Sequence, residues 1–166
     1  MSGVIRLAPA DAARYVRLRR RMLLDVPAAF AASPEDDVAS DEAFVARAIA
    51  QDENALLAVP AGDELVAVAG VMRQTKAKFR HRADLWGVYV APAHRGVGYA
   101  RAVTAAAIDL ARTWAGVEWV DLGVSAATPG AQRLYESLGF VAWGREPEAT
   151  DVGGARHDEI FMTLRL

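Results

Sequence analysis

The sequence predicts a mixed α+β fold, one domain over residues 1–166, in which helices pack on a central sheet of about six to seven strands. Three observations carry this. The apolar spacing switches repeatedly between the 3.6-residue period of helices and the two-residue alternation of strands. The segments run in the order β-α-α-β-β-β-α-β-α-β-β. No internal repeat and no Ser/Gly linker divides the 166 residues, a length that buries roughly two thirds of the unfolded chain's surface in a single core.

Val4 to Leu7 reads as a short strand. After Pro9, Tyr15, Leu18 and Met22 recur at helical spacing while Arg14, Arg17 and Arg21 take another face, predicting an amphipathic helix over Asp11 to Leu24. A loop with Pro27, Pro34 and the acids Glu35, Asp36 and Asp37 leads to a second helix near Asp41 to Gln51, with Phe44, Ala48 and Val45 inward. Ala55 to Val59 and Glu64 to Met72 then flank "PAGD", whose Gly and Asp suit a tight hairpin connection. A basic tract from Arg73 to Arg82 precedes the strand Asp84 to Val90. The following helix puts Val103, Ala107, Leu110 and Trp114 on one stripe and closes at Gly116. Trp119 to Val124 is a strand apolar except at Asp121. In the next helix Thr128 can cap, Pro129 takes the first position and Gly139 ends the run. Phe140 to Trp143 begins another strand, and Ile160, Met162, Leu164 and Leu166 alternate in the last.

Composition excludes several classes. With 53% hydrophobic and 24% charged residues, the chain reads as an ordinary soluble globule, neither disordered nor membrane-spanning. A net charge of −2 gives no global pull toward nucleic acid. The clusters "RLRRR" (Arg17 to Arg21) and "KAKFRHR" (Lys76 to Arg82) read as solvated faces, since only Phe79 offers a base-stacking ring. Zero cysteines exclude disulfides and thiolate chemistry and permit a reducing cytoplasm, and the N-terminal stretch has no apolar core of signal-peptide length. His81, His94 and His157 include no pair at metal-ligand spacing, so no metal is expected.

The stretch "YVAPAHRGVGYARAV" (Tyr89 to Val103) carries the most chemistry. A strand that ends at a proline and enters a helix through Arg95-Gly96-Val97-Gly98 presents free backbone N–H groups at the positive end of the helix dipole, an anion site. Three phosphate-binding readings compete. A Walker loop needs a Gly-Lys-Ser/Thr ending, which is absent. A dinucleotide fingerprint starting at Gly96 meets Arg101 where close packing wants a small residue. The third is Arg-x-x-Gly-x-Ala, Arg95 to Ala100.

That hexapeptide, placed after Val-Tyr-Val-Ala-Pro, resembles the acetyl-CoA signature of the GNAT superfamily of N-acetyltransferases. About thirty residues on, "ATPGAQRLYESLGF" (Ala127 to Phe140) resembles the family's second motif, and the order of the other segments, with an ending like "HDEIFMTLRL", extends the likeness over nearly the whole chain. The resemblance implies the α/β/α GNAT fold, in which two adjacent parallel strands splay apart to admit the pantetheine arm. It implies acetyl-CoA as cosubstrate and direct attack by a primary amine of a small molecule or peptide on the acetyl carbonyl. Arg95, Gly96, Val97, Gly98, Tyr99 and Ala100 would cradle the pyrophosphate. Val88, Tyr89 and Val90 would lend backbone groups to the pantetheine, with the Val90 N–H on the thioester oxygen. Gly87 would mark the bulge that opens this strand.

Two proton transfers follow from that chemistry. Tyr135, in the Leu-Tyr motif, is the acid for the departing thiolate; the other reading is a core aromatic beside Leu134 and Leu138. Asp84, eleven positions before Arg95, resembles the catalytic carboxylate of histone-modifying members and would act through a water; the other reading is a solvated strand-start residue. Asp121, Glu118 and Glu159 are weaker candidates for the base. Thr128 departs from the family's usual Asn and offers one hydroxyl where Asn offers an amide. Glu35, Asp36 and Asp37 lie where the family walls its acceptor site and would favour a cationic amine. No nucleic-acid or membrane partner is implied, and a homodimer is the family's expectation. The rival reading is a non-catalytic acyl-CoA-binding module of the same fold.

Overall fold

The structure, a computed structural model, describes residues 3–166. Seven strands form one sheet: β1 (Ile5–Arg6), β2 (Asn54–Ala61), β3 (Glu64–Arg73), β4 (Arg82–Val90), β5 (Trp119–Ser125), β6 (Val141–Val152) and β7 (Ala155–Arg165). Their order is β1-β2-β3-β4-β5-β7-β6, antiparallel throughout except where β4 and β5 run parallel. Four helices flank it, α1 (Ala12–Asp25), α2 (Glu42–Ile49), α3 (Tyr99–Arg112) and α4 (Pro129–Ser137). The mixed fold expected from the sequence is the fold observed.

Alternation along the strands divides the core between the two faces of the sheet. Ala83, Leu85, Val120, Leu122, Val124, Ile160 and Met162 pack with Val103, Ala107 and Ala111 of α3 and Tyr135 of α4. On the opposite face Leu56, Ala58, Val68 and Tyr89 meet Tyr15, Leu18, Met22 and Leu23 of α1 and Val45 and Ile49 of α2. Helices α1 and α2 cover β2 and β3, leaving β5, β7 and β6 on that face to the short 3₁₀ turn Pro27–Ala29. That asymmetry leaves room for a second molecule beside the centre of the sheet.

Three local expectations are corrected. In α2 the inward stripe is Val45 and Ile49, while Phe44 is exposed. Asp41 caps this helix, accepting from Ala43 and Phe44 N–H, and packing against α1 and β2 buries Val45 and Ile49. Phe44→Ser should therefore change stability by no more than about 0.5 kcal/mol, whereas Ile49→Ala should cost about 2–5 kcal/mol, read by urea denaturation. The second correction is Arg19, which belongs to no solvated basic face: it is buried, and its Nε and Nη2 donate to both oxygens of buried Asp37 at 2.9 and 3.0 Å. Asp37, expected among the acids walling the acceptor site, is instead spent on Arg19 and ties the α1–α2 connection to α1. Third, β6 runs twelve residues, far past Trp143, and turns into β7 through Gly153 and Gly154 at φ +60° and +86°. None of its residues is buried, so no apolar alternation marks it.

Candidate active site

The centre of the sheet is held open. The parallel pairing of β4 with β5 is confined to Arg82–Trp119, Ala83–Val120 and Asp84–Asp121, beyond which the two strands diverge. On its other side β4 remains paired with β3, but Val68 faces Tyr89 and Gly70 faces Trp86, so β4 carries one extra residue. This is the bulge anticipated at Gly87, whose φ is +61°. The bulge bends β4 away from β5. Ala91 N–H donates to Val66 O at 2.8 Å, and by the alternation of an antiparallel ladder the Val90 N–H points away from β3 into the gap.

A cavity of about 640 Å³ occupies the gap and runs through the sheet. From the α3–α4 side it is lined by Tyr99, Ala100, Ala131 and Tyr135, from the α1 side by Val26, Ala29 and Phe30. Its mouth is the glycine turn. Gly96 and Gly98 adopt φ of +80° and +90°, the left-handed region that a side chain strains, and open space lies where either Cβ would stand. Gly98 is the N-cap of α3. The N–H groups of Gly96, Val97 and Gly98 find no acceptor among the described residues, and those of Tyr99, Ala100 and Arg101 open the helix, so six donors converge at one helix terminus. Such a cradle suits a pyrophosphate.

Arg95 supports this turn from behind. Its Nε donates to Val90 O at 3.0 Å, its Nη2 pairs with Asp25 at the end of α1, and the guanidinium lies 5.8 Å from the centre of the Tyr89 ring. Tyr89 in turn donates its hydroxyl to Asp25 at 3.0 Å. Burial and the neighbouring Asp25 carboxylate raise the Tyr89 phenol, keeping it a donor. The side chain expected to hold phosphate is spent on locking the turn to β4 and α1.

Tyr135 is buried on α4 and faces the cavity, its ring fixed edge-on against Phe140 at 5.9 Å. Burial pushes its phenol well above the ordinary value, so it is protonated at neutral pH, and its hydroxyl has no hydrogen-bond partner among the described residues. Thr128 lines the cavity too, but it does not cap α4. Its hydroxyl donates to Ser125 O at 2.9 Å, which satisfies the last carbonyl of β5 and leaves the helix N–H groups unbonded to it. Of the remaining expected residues, Val88, Tyr89 and Val90 line the wall, whereas Val97 projects its side chain into solvent beside the turn.

Asp84 is not brought into the cavity. It sits where β4 and β5 are still paired, opposite Asp121, and accepts from the Gln74 amide. Burial raises its carboxyl, the Gln74 bond partly offsetting this. Asp121 is engaged by Arg82, which meets both its oxygens at 2.6 Å. Trp86 escaped the sequence reading, and Glu159 entered it only as a weaker candidate for the base. Trp86 lines the cavity, its ring lying so close on β3 that a Cβ at Gly70 would stand 2.3 Å from it. Glu159 lies likewise over Gly123 of β5, 2.0 Å from where a Cβ would be. In both cases a glycine inside a strand was the available signal, since such glycines mark close approach by another group.

Among the described residues no helix is long and apolar enough to cross a membrane, and no group of three potential metal ligands is found.

Comparison with known proteins agrees with this geometry. Spermidine N(1)-acetyltransferase of Vibrio cholerae is 30% identical over 89 residues, 54% of this chain and 51% of its own length. The L-amino acid N-acyltransferase MnaT of Escherichia coli is 34% identical over 88 residues, 53% of this chain and 50% of its own. The chain thus spans about half the length of the curated relatives it matches. Among solved structures, YncA of Salmonella typhimurium with its cofactor acetyl-CoA superposes with a TM-score of 0.84 at 25% identity, over 98% of this chain and 92% of that one. A family model described as the acetyltransferase (GNAT) family matches residues 19–140, which take in the splayed strands, the glycine turn and Tyr135, and the chain belongs to that family.

Proposed function

We propose that residues 1–166 form one N-acetyltransferase unit that moves the acetyl group of acetyl-CoA to a primary amine of a small molecule or peptide. The observation that carries this reading is the gap between β4 and β5, which ends at a turn of six converging N–H donors. A cleft through a sheet with an anion cradle at one end fits a long thioester bearing a pyrophosphate, and the 640 Å³ volume suits a bound small molecule. The acetyl-CoA held by the YncA relative supports the same assignment.

The residues divide the work. Gly96, Val97, Gly98, Tyr99 and Ala100 supply N–H groups to the pyrophosphate, and Arg95 holds the turn that aims them. Val88 and Tyr89 edge the pantetheine path, with Thr128 opposite on β5's side. The Val90 N–H, fixed by the ladder on its other edge, faces the thioester oxygen and stabilises negative charge as the tetrahedral intermediate forms. Tyr135 returns a proton to the sulfur as the carbon–sulfur bond breaks.

The first test is release of CoA thiol from acetyl-CoA against a panel of amines; thiol release that depends on the amine supports transfer, and tight CoA binding without it would instead mark a binding module. Tyr135→Phe should lower kcat by about 100-fold with acetyl-CoA affinity unchanged by calorimetry. A variant at full rate across the pH range would remove Tyr135 as the acid.

A further inference from the structure

The relatives include a polyamine acetyltransferase and an amino-acid acyltransferase, and the acceptor side of this cavity distinguishes those two chemistries. On β7, Glu159 and Phe161 face away from the α3–α4 core, toward the side walled by Val26, Ala29 and Phe30. Glu159 pairs in register with Ser125, and its carboxylate leans back over Gly123, which lines the cavity. A side chain at position 123 would occupy the space that the carboxylate fills. Glu159 does not itself line the cavity, but its carboxylate extends across the width of β5 to the residue that does.

The charges around it are otherwise spoken for. Asp121 holds Arg82, Asp158 holds Arg145 at 2.6 Å, and Asp25 holds Arg95. Glu159 makes no ion pair among the described residues and is half-buried. Opposite it on β6 stands Glu146, a second carboxylate, and His157 lies two residues back on β7. The Val26–Phe30 wall contributes no titratable group. Burial, with Glu146 beside it, raises the Glu159 carboxyl above its ordinary value. Next along the same face, Phe161 stacks on Trp143 with ring centres 5.6 Å apart, and the Trp143 indole is two-thirds exposed at 67%.

Resting on the function proposed above, we infer that Glu159 receives the acceptor's ammonium and takes its proton, and that the acceptor is a cationic amine with no carboxylate beside the nitrogen. Its apolar part lies on the Phe161–Trp143 stack. An amino acid would bring its own carboxylate against Glu159 and Glu146, while the neighbouring guanidinium groups are already paired. In the reaction the N–H bond of the ammonium breaks and its proton goes to Glu159. The freed lone pair forms the N–C bond to the acetyl carbonyl, and the C–S bond breaks with its electrons on sulfur. Tyr135 protonates that thiolate and is reprotonated from water, which also takes the second nitrogen proton and, later, the one on Glu159. One proton is released overall.

The test uses 2-phenylethylamine and L-phenylalanine, with thiol release for turnover and tryptophan fluorescence for amine binding. Wild type should favour 2-phenylethylamine by at least about tenfold in kcat/KM. Glu159→Gln should lose about 100-fold for that amine at neutral pH, the deficit narrowing as rising pH lets water deprotonate the amine, with acetyl-CoA affinity by calorimetry unchanged. Gly123→Ala, which displaces the carboxylate without removing it, should lose about tenfold. Turnover and pH profile unaltered in Glu159→Gln, or preference for L-phenylalanine, would overturn the inference while leaving acetyl transfer standing. If amine quenches the fluorescence of wild type and not of Glu159→Gln, yet no thiol is released, the subsite stands and the transferase reading falls.

Discussion

Gly98→Glu should reduce CoA affinity by about 100-fold or more, measured by calorimetry. Two effects add. At φ +90° a residue with a Cβ is strained by roughly 1–2 kcal/mol, which the turn relieves by rotating its N–H groups off the ligand. The new carboxylate then stands where the six donors converge, repelling a pyrophosphate through a path from which water is partly excluded. Gly96→Ala, at φ +80°, tests the first effect alone and should cost about tenfold. Both positions face open space, so the fold has no packing to lose, and a variant that melts like wild type but fails to bind CoA is the expected outcome. Unchanged affinity in Gly98→Glu would remove the turn from the binding site.

Asp37→Ala should cost about 3–5 kcal/mol by urea denaturation. It leaves the Arg19 guanidinium buried with neither of its two carboxylate bonds, and it deprives the Val38–Ser40 turn of its cap on Ala39 N–H. Tyr15, packed beside the pair, offers no charge in exchange: burial raises its phenol to about 12. Against a domain stability of about 5–15 kcal/mol this is a large fraction. The double change Arg19→Met with Asp37→Leu removes both charges and should recover most of the loss. A single variant within about 1 kcal/mol of wild type would show that the pair contributes little to the connection between α1 and α2.

What was readable in the sequence follows from the range of the interaction that decides each feature. Gly96 and Gly98 were legible because a left-handed backbone is a local demand that residue type answers directly. The core stripe of α1 and the Val103 and Ala107 part of the α3 stripe were legible because periodicity records burial on one face. In α3 Thr104, Ile108 and Ala111 are buried as well, and the expected Leu110 is only half-buried. Phe44 and Val45 differ by one helical position, and the tertiary packing against α1 that buries Val45 acts below the resolution of periodicity. Arg19 and Asp37 are eighteen positions apart, and composition assigns each to a solvated surface until the fold joins them. Trp86 and Glu159 owe their places to strand register, Trp86 against Gly70 and Glu159 across β5 from Gly123. Asp84 shows the reverse case, a residue at the right distance along the chain but on the closed side of the point where β4 and β5 part.

The extra residue at Gly87 does more than bend β4. Before it, the odd-numbered Ala83 and Leu85 belong to the α3–α4 core and Trp86 to the α1 side; after it, Val88 and Val90 take the α3–α4 side and Tyr89 and Ala91 the other. Odd and even exchange roles within one strand. Trp86 and Tyr89, three apart, consequently face the same way, and the Val90 N–H falls on the open edge instead of the paired one. A strand without that insertion would keep its hydrophobic pattern in step and close the donor against β3, so Gly87 acts as a phase switch whose single residue decides which edge of β4 presents the Val90 N–H to the gap.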